Sequence, residues 1–184
     1  MALAQVNTHL GAALGQSGLR CVGLSGVDGG TLRAQAVGEP WGRIALTPKV
    51  DPDIVVALWA RDVTPVLSPV AVDDQGALLN CNADAAAGAV AGALDADVLV
   101  LLSDVDQLRR DPDDASSALS RVGVDDVREM VENGAAREGM RPKMTAALDA
   151  LDAGARRVLL ANGTRPHALR DALSGAIPTT EILA

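Results

Sequence analysis

Apolar residues recur at helical spacing over 6–14, and the pattern breaks at Gly15-Gln-Ser-Gly18. That predicts an opening helix closed by a glycine turn. A short apolar strand over 19–24 follows and runs into Ser25-Gly26-Val-Asp28-Gly29-Gly30. Segments 31–37 and 43–46 read as the arms of a hairpin with 38–42 as its turn. Asp51-Pro52 caps a helix over 53–60, and a strand over 65–70 leads to the central stretch, 73–106. There a turn precedes Asn80-x-Asn82-x-Asp84, an Ala-rich segment and the apolar run Val98 to Leu102, which stops at Ser103-Asp104. Alanine favours helix and Asn or Asp caps it, so 82–94 is predicted helical. The run 98–102 suits a strand covered on both faces, as in a parallel sheet. Residues 109–117 are the most polar in the chain and predict a surface loop. Helices are expected over 124–133 and, behind Pro142, over 143–153. A buried strand over 157–161, a helix opened by Arg165-Pro166-His167 and running to 173, and a tail strand over 179–183 at a sheet edge complete the pattern. Strand and helix alternate throughout, so the fold class is α/β with a mainly parallel sheet.

In such sheets ligands sit beyond the carboxyl ends of strands, and two polar clusters fall at those ends. In an extended segment the side chains of Asn80, Asn82 and Asp84 share one face and offer donors and acceptors to a polar ligand. A cap and a turn would equally account for Asn82 and Asp84. Ser103 and Asp104 could hold a ribose or a magnesium ion, or Asp104 could cap the next turn. Gly139-Met-Arg-Pro-Lys143 puts a lysine on the first turn of a helix, where phosphate is a natural guest and a solvated lysine the plain alternative.

Bulk properties narrow the classes. One domain with a sizeable core is expected from 184 residues of which 48% are apolar. The core must be aliphatic, since Phe and Tyr are absent and only Trp41 and Trp59 occur. Twenty-four acids against sixteen bases give a net charge of -8, which argues against nucleic acid or an acidic membrane as partner. Cys21 and Cys81 lack metal-ligand spacing and read as reduced thiols of a cytoplasmic protein. No metal ligands are assigned, since His9 and His167 have no paired ligands nearby. The glycines of 23–30 match neither the dinucleotide fingerprint nor the Walker loop.

Taken together, Val22-Gly-Leu-Ser-Gly-Val-Asp-Gly29, Leu79-Asn-Cys-Asn-Ala-Asp84, Leu101-Leu-Ser-Asp-Val105, Gly139-Met-Arg-Pro-Lys-Met-Thr-Ala-Ala-Leu148 and Arg165-Pro-His-Ala-Leu169 resemble the acetylglutamate kinases of the amino acid kinase family. The resemblance implies a three-layer αβα sandwich in which 73–184 is the nucleotide-binding half and 1–72 the remainder of the substrate-side half. It implies ATP, with Mg²⁺ carried on the nucleotide phosphates, and transfer of the γ-phosphoryl group to the side-chain carboxylate of N-acetyl-L-glutamate in arginine biosynthesis. Kinases of carrier-protein-bound aminoadipate in lysine biosynthesis share these motifs, and a non-catalytic nucleotide-binding relative is a further alternative. By the same resemblance, Lys143 stabilises the transferring phosphoryl group and Asp84 orients the catalytic lysines. Asn80 contacts the acylated substrate and Asn82 lies on the same shelf. Ser103, Asp104, Val105, Asp106, Gln107, Leu108, Arg109, Ala135, Ala136, Arg137, Gly139 and Met140 match nucleotide-binding segments.

The departures are specific. The sequence holds no Lys-x-Gly-Gly strand, no Gly-Gly substrate loop and no substrate-clamping arginine, so a kinase domain lacking its N-terminal lobe is expected, with doubtful activity on its own. Gln107 stands where the family usually has glycine, and Arg137-Glu138 replace small residues. The expected partner is a small acylated amino acid, and a homo-oligomer is an arrangement that family members often adopt.

Overall fold

The computed structural model describes residues 2–134 and 139–183. The chain divides into two compact units, Met1–Ala86 and Ala87–Ala184.

In the first unit, helix α1 (Ala2–Gln16) precedes β1 (Cys21–Ser25), β2 (Leu32–Arg33), β3 (Ile44–Ala45) and β4 (Lys49–Val50). Helix α2 (Asp53–Trp59), β5 (Thr64–Ser68), β6 (Val70–Val72) and β7 (Leu78–Cys81) follow, and α3 (Ala83–Ala93) runs across the unit boundary. Strands β1 and β5 pair in parallel from Cys21–Thr64 to Ser25–Ser68. A second sheet has the order β3-β7-β6-β2-β4. Helix α1 lies on β1 and β5 through Asn7, whose amide nitrogen is 3.1 Å from the Leu24 carbonyl, 2.7 Å from that of Val66 and 3.0 Å from Ser68 Oγ. Gly23 is where the helix comes close, because a Cβ there would collide with the Asn7 side chain. Asp51 Oδ1 accepts from the Asp53 amide at 3.1 Å, turning the chain into α2, whose N-cap is Pro52.

The expected hairpin forms only in part. Its arms meet at an isolated antiparallel bridge between Ala36 and Ala45, with the Val37 amide donating to the Ile44 carbonyl at 2.8 Å. Strand β2, at the start of the first arm, pairs instead with β4 and β6.

In the second unit, β8 (Leu99–Ser103), β9 (Leu108–Arg109), β10 (Ala118–Leu119) and β11 (Arg121–Gly123) lead into α4 (Val124–Glu132), α5 (Arg141–Asp152), β12 (Arg157–Asn162), α6 (Ala168–Ser174) and β13 (Thr179–Leu183). The main sheet has the order β11-β13-β12-β8. The tail strand β13 is therefore interior, parallel to β11 and antiparallel to β12, rather than at an edge. Its alternating burial, with Thr180 and Ile182 buried, seats it between two neighbours that local pattern could not name. The polar stretch 109–117 is partly ordered: β9 and β10 pair antiparallel, and Asp114 caps a 3₁₀ turn at Ala115–Ser117. One face of the β8 end is open, since Leu102 is 43% exposed. Across the described residues five of nine strand pairings are parallel.

The core of this unit is continuous and aliphatic. Val127 and Met130 of α4, Met144 and Leu148 of α5, and Val158, Leu160 and Ile182 of the sheet belong to one buried cluster. A glycine sets the closeness of α3 to α5. A Cβ on Gly88 would sit 2.6 Å from the Ala146 carbonyl oxygen, so α3 and α5 meet backbone to backbone there.

Candidate functional site

Strands β8 and β12 run in parallel, and their register brings Ser103 beside Asn162 at the two carboxyl ends. The Gly163 amide donates to the Ser103 carbonyl at 2.8 Å, extending the pairing into both loops. The chain leaving β8 then forms one wall of a cleft of about 630 Å³. That volume lies within the range that small-molecule ligands occupy. Ser103, Asp104, Val105, Gln107, Leu108 and Arg109 all line it from this segment, with Leu102 before them and Pro112 beyond. The other wall comes from the start of α5, with Gly139, Met140 and Lys143.

Asp106 alone of 102–109 is not on the cleft wall. Its carboxylate is turned to Arg165, which donates through Nε at 2.9 Å and through Nη2 at 2.7 Å, and to the Asn162 amide at 2.9 Å. Those bonds, Arg165 first and Asn162 second, hold the carboxyl below its ordinary range. The next residues are tied elsewhere. Gln107 Nε2 donates to the Thr179 carbonyl at 2.9 Å, and the Leu108 amide to Thr180 Oγ1 at 2.8 Å.

Chemically the cleft is divided. Leu102, Val105, Leu108, Pro112 and Met140 offer an apolar surface suited to a planar ring, while Lys143 and Arg109 supply positive charge. Pro142 stands in the first turn of α5, and Met140, its N-cap, makes no side-chain cap bond. The leading amides of that helix add partial positive charge near Lys143. Asp104 contributes a carboxylate, and Ser103 Oγ donates to its Oδ1 at 3.2 Å.

In the first unit, the segment 80–84 is not one extended strand. Strand β7 ends at Cys81, with Asn80 exposed on it. Asn82 Oδ1 accepts from the amides of Asp84 at 2.9 Å and Ala85 at 3.1 Å, capping α3. Asp84 is half-buried in the first turn of that helix. The shared face expected for Asn80, Asn82 and Asp84 is therefore lost, because capping rotates the chain out of the strand after Cys81. Ala135, Ala136 and Arg137 lie outside the described residues. Leu102, Pro112 and the Asn162–Arg165 pair were not singled out as site residues from sequence. An apolar strand end facing a polar loop was the available signal for Leu102, and there was none for Pro112.

Cys81 is buried, which raises its thiol pKa against a weaker lowering by the Ala71 backbone, and Cys21 Sγ donates to the Gly11 carbonyl at 3.3 Å. Among the described residues no helix is long and apolar enough to cross a membrane.

Comparison with known proteins gives a consistent result. The model of the amino acid kinase family matches residues 1–162. The acetylglutamate kinase of Symbiobacterium thermophilum is 38% identical over 174 residues, which is 90% of this chain and 58% of that protein. The chain thus spans little more than half the length of that curated relative. Among solved structures, the N-acetylglutamate synthase of Neisseria gonorrhoeae complexed with coenzyme A and N-acetyl-glutamate superposes with a TM-score of 0.81 at 24% identity, over 98% of this chain and 42% of that one. The carbamate kinase of Giardia lamblia bound to AMP-PNP superposes with a TM-score of 0.69 at 16% identity, over 96% of this chain and 67% of that one. These likenesses show the α/β fold. The chain belongs to the amino acid kinase family.

Proposed function

We propose that the cleft of the second unit binds ATP, and that the chain is the corresponding part of a cytoplasmic kinase that phosphorylates the side-chain carboxylate of N-acetyl-L-glutamate. The carrying observation is Lys143 on the first turn of α5, on the wall facing the loop that leaves β8. The apolar lining accepts the base, and Lys143 with the helix N-terminus meets the phosphates. Mg²⁺ arrives on the nucleotide, held by its phosphates. In the reaction a carboxylate oxygen bonds to the γ-phosphorus as the bond to the ADP oxygen breaks, leaving an acyl phosphate. Such transfer needs neutralised charge and alignment more than covalent help, and a lysine beside the phosphates supplies the first. Asp84 is assigned to orienting catalytic lysines, and Asn80, the exposed amide of β7, to the acylated substrate. Asn82 serves that shelf indirectly, since its oxygen already holds the start of α3. Similarity to acetylglutamate kinases over most of the chain supports the substrate class.

Calorimetric titration of Mg-ATP into the 184-residue chain tests the cleft, and trapping of acyl phosphate as hydroxamate with N-acetylglutamate tests the reaction. Saturable binding is expected, and Lys143→Ala should lower any turnover by about 100-fold or more, the scale of losing a transition-state charge partner. Binding without turnover, weakened but not abolished by Lys143→Ala, would identify a nucleotide-binding module instead. No binding by a folded chain would sink the reading.

A further inference from the structure

We propose that Arg165 is a positioning residue for this cleft, acting through Asp106 to hold the loop 104–109 in the shape that receives the nucleotide. The inference rests on the nucleotide reading of the cleft and concerns residues that do not line it. Seven of the eight residues 102–109 line the cavity, and the eighth, Asp106, is instead bound to a guanidinium off that lining. A loop whose middle residue is pinned behind it presents its neighbours, Val105 and Gln107, on the other side.

The pin has three parts. Arg165 grips both oxygens of Asp106 with a two-pronged fork, which fixes orientation as well as distance. Asn162 donates to the same carboxylate at 2.9 Å while its own oxygen accepts from the Thr164 amide at 2.9 Å and from the Thr164 hydroxyl at 2.6 Å. The segment carrying Arg165 is thus fixed to the end of β12. Beyond Asp106 the chain is held at Gln107 and Leu108 by Thr179 and Thr180 of β13. Without Arg165 the run from Ser103 to Gln107 would keep its two ends and hold its middle by the single Asn162 bond, without the fork that fixes its orientation.

Global stability alone does not explain this arrangement. Both side chains are about two-fifths exposed (Arg165 41%, Asp106 43%), where an ion pair adds little to folding. An aspartate is ionised throughout the neutral range, and the Arg165 and Asn162 bonds only favour that form further, so the pin is present under working conditions.

The test uses the full chain, Mg-ADP as probe, and the variants Arg165→Met, Asp106→Asn, their double and Arg165→Lys. Each single neutral variant should weaken Mg-ADP binding about tenfold, and the double should be no worse than either, the signature of one coupled device. Arg165→Lys should recover part of the loss, since an ammonium keeps the charge but not the fork. Amide hydrogen exchange over 104–108 should speed up in the neutral variants while the β12 amides stay protected. Losses that add, unchanged exchange in the loop, or faster exchange with unchanged affinity would each overturn the positioning role. A wild-type chain that binds no Mg-ADP overturns the nucleotide reading and this role with it. The exchange data would still decide whether Arg165 orders the loop.

Discussion

The two units use their apolar residues differently. In the second, helices α4 and α5 and the sheet β11-β13-β12-β8 close over one cluster in which Val127, Met144, Ala147, Val158 and Ile182 have no exposed surface. In the first, the buried apolar side chains are fewer, among them Leu32, Val55, Ala71 and Leu79. Leu3, Val6, Leu10, Trp41, Leu46, Val56 and Trp59 are all at least 40% exposed. The first unit is held where backbones come close and where polar groups reach across, as at Gly23, Gly26 and Asn7. The difference teaches that one family fold can be supported by bulk burial in one region and by close backbone contact in another.

The largest effect should come from the packed region. Ile182→Ala opens a hole in a fully buried site between β11 and β12, and should cost about 2–5 kcal/mol in urea unfolding. Leu46→Ala, at a side chain 72% exposed, should change stability by no more than about 0.5 kcal/mol. Similar losses for the two would erase the contrast between the units.

Thr180→Val keeps the shape but removes a buried hydroxyl that accepts from Leu108 and donates to the Leu119 carbonyl at 2.5 Å. Two backbone groups lose a partner, so a cost of about 1–3 kcal/mol is expected. Because Leu108 lines the cleft, Mg-ADP affinity should fall as well. A loss of stability with full affinity would show that the cleft tolerates movement of β9.

The matching experiment in the first unit is Gly26→Ala. The new Cβ would lie 2.5 Å from the Val70 carbonyl oxygen and would overlap the Leu32 side chain. Backbone cannot yield cheaply, so about 1–3 kcal/mol should be lost. A neutral result would mean that the first unit adjusts its layers freely, and that close approach does not hold it.

Much of this was legible in sequence because it is local. Alanine content and capping chemistry marked α3, a proline marked the start of α5, and an aliphatic run marked β8. The grouping of 103–109 with 139–143 around one cleft came from motif resemblance, with Lys143 also suggested by its place at a helix start. What pattern could not supply was pairing between distant segments. Asp106 and Arg165 are 59 positions apart, and nothing in either neighbourhood records the other. The same limit put β13 at an edge, because a strand's own residues do not name its neighbours. For Asn82 the pattern left a cap and a ligand contact open, and the structure shows its amide oxygen capping α3.

The smallest expected effect concerns charge on the second unit's sheet. Glu181 accepts from Arg121 at 2.8 Å and from Arg157 at 3.2 Å, and its carboxyl is lowered chiefly by the Arg121 bond. A carboxyl with a depressed folded-state pKa contributes stability above its unfolded pKa and loses that contribution as pH falls through the folded one. Glu181→Gln should therefore be less stable than wild type at pH 7, by about 1 kcal/mol or less, because Arg121 is largely exposed and the pair is screened. The gap should begin to close as pH falls through the ordinary glutamate range and vanish only below the lowered folded pKa, where wild type takes up the proton that the variant never needed. Added salt should narrow the gap at pH 7 as well. A gap that persists unchanged at low pH and high salt would mean that Glu181 acts through packing between β11 and β12, and the charge contribution would drop out of the contrast between the units.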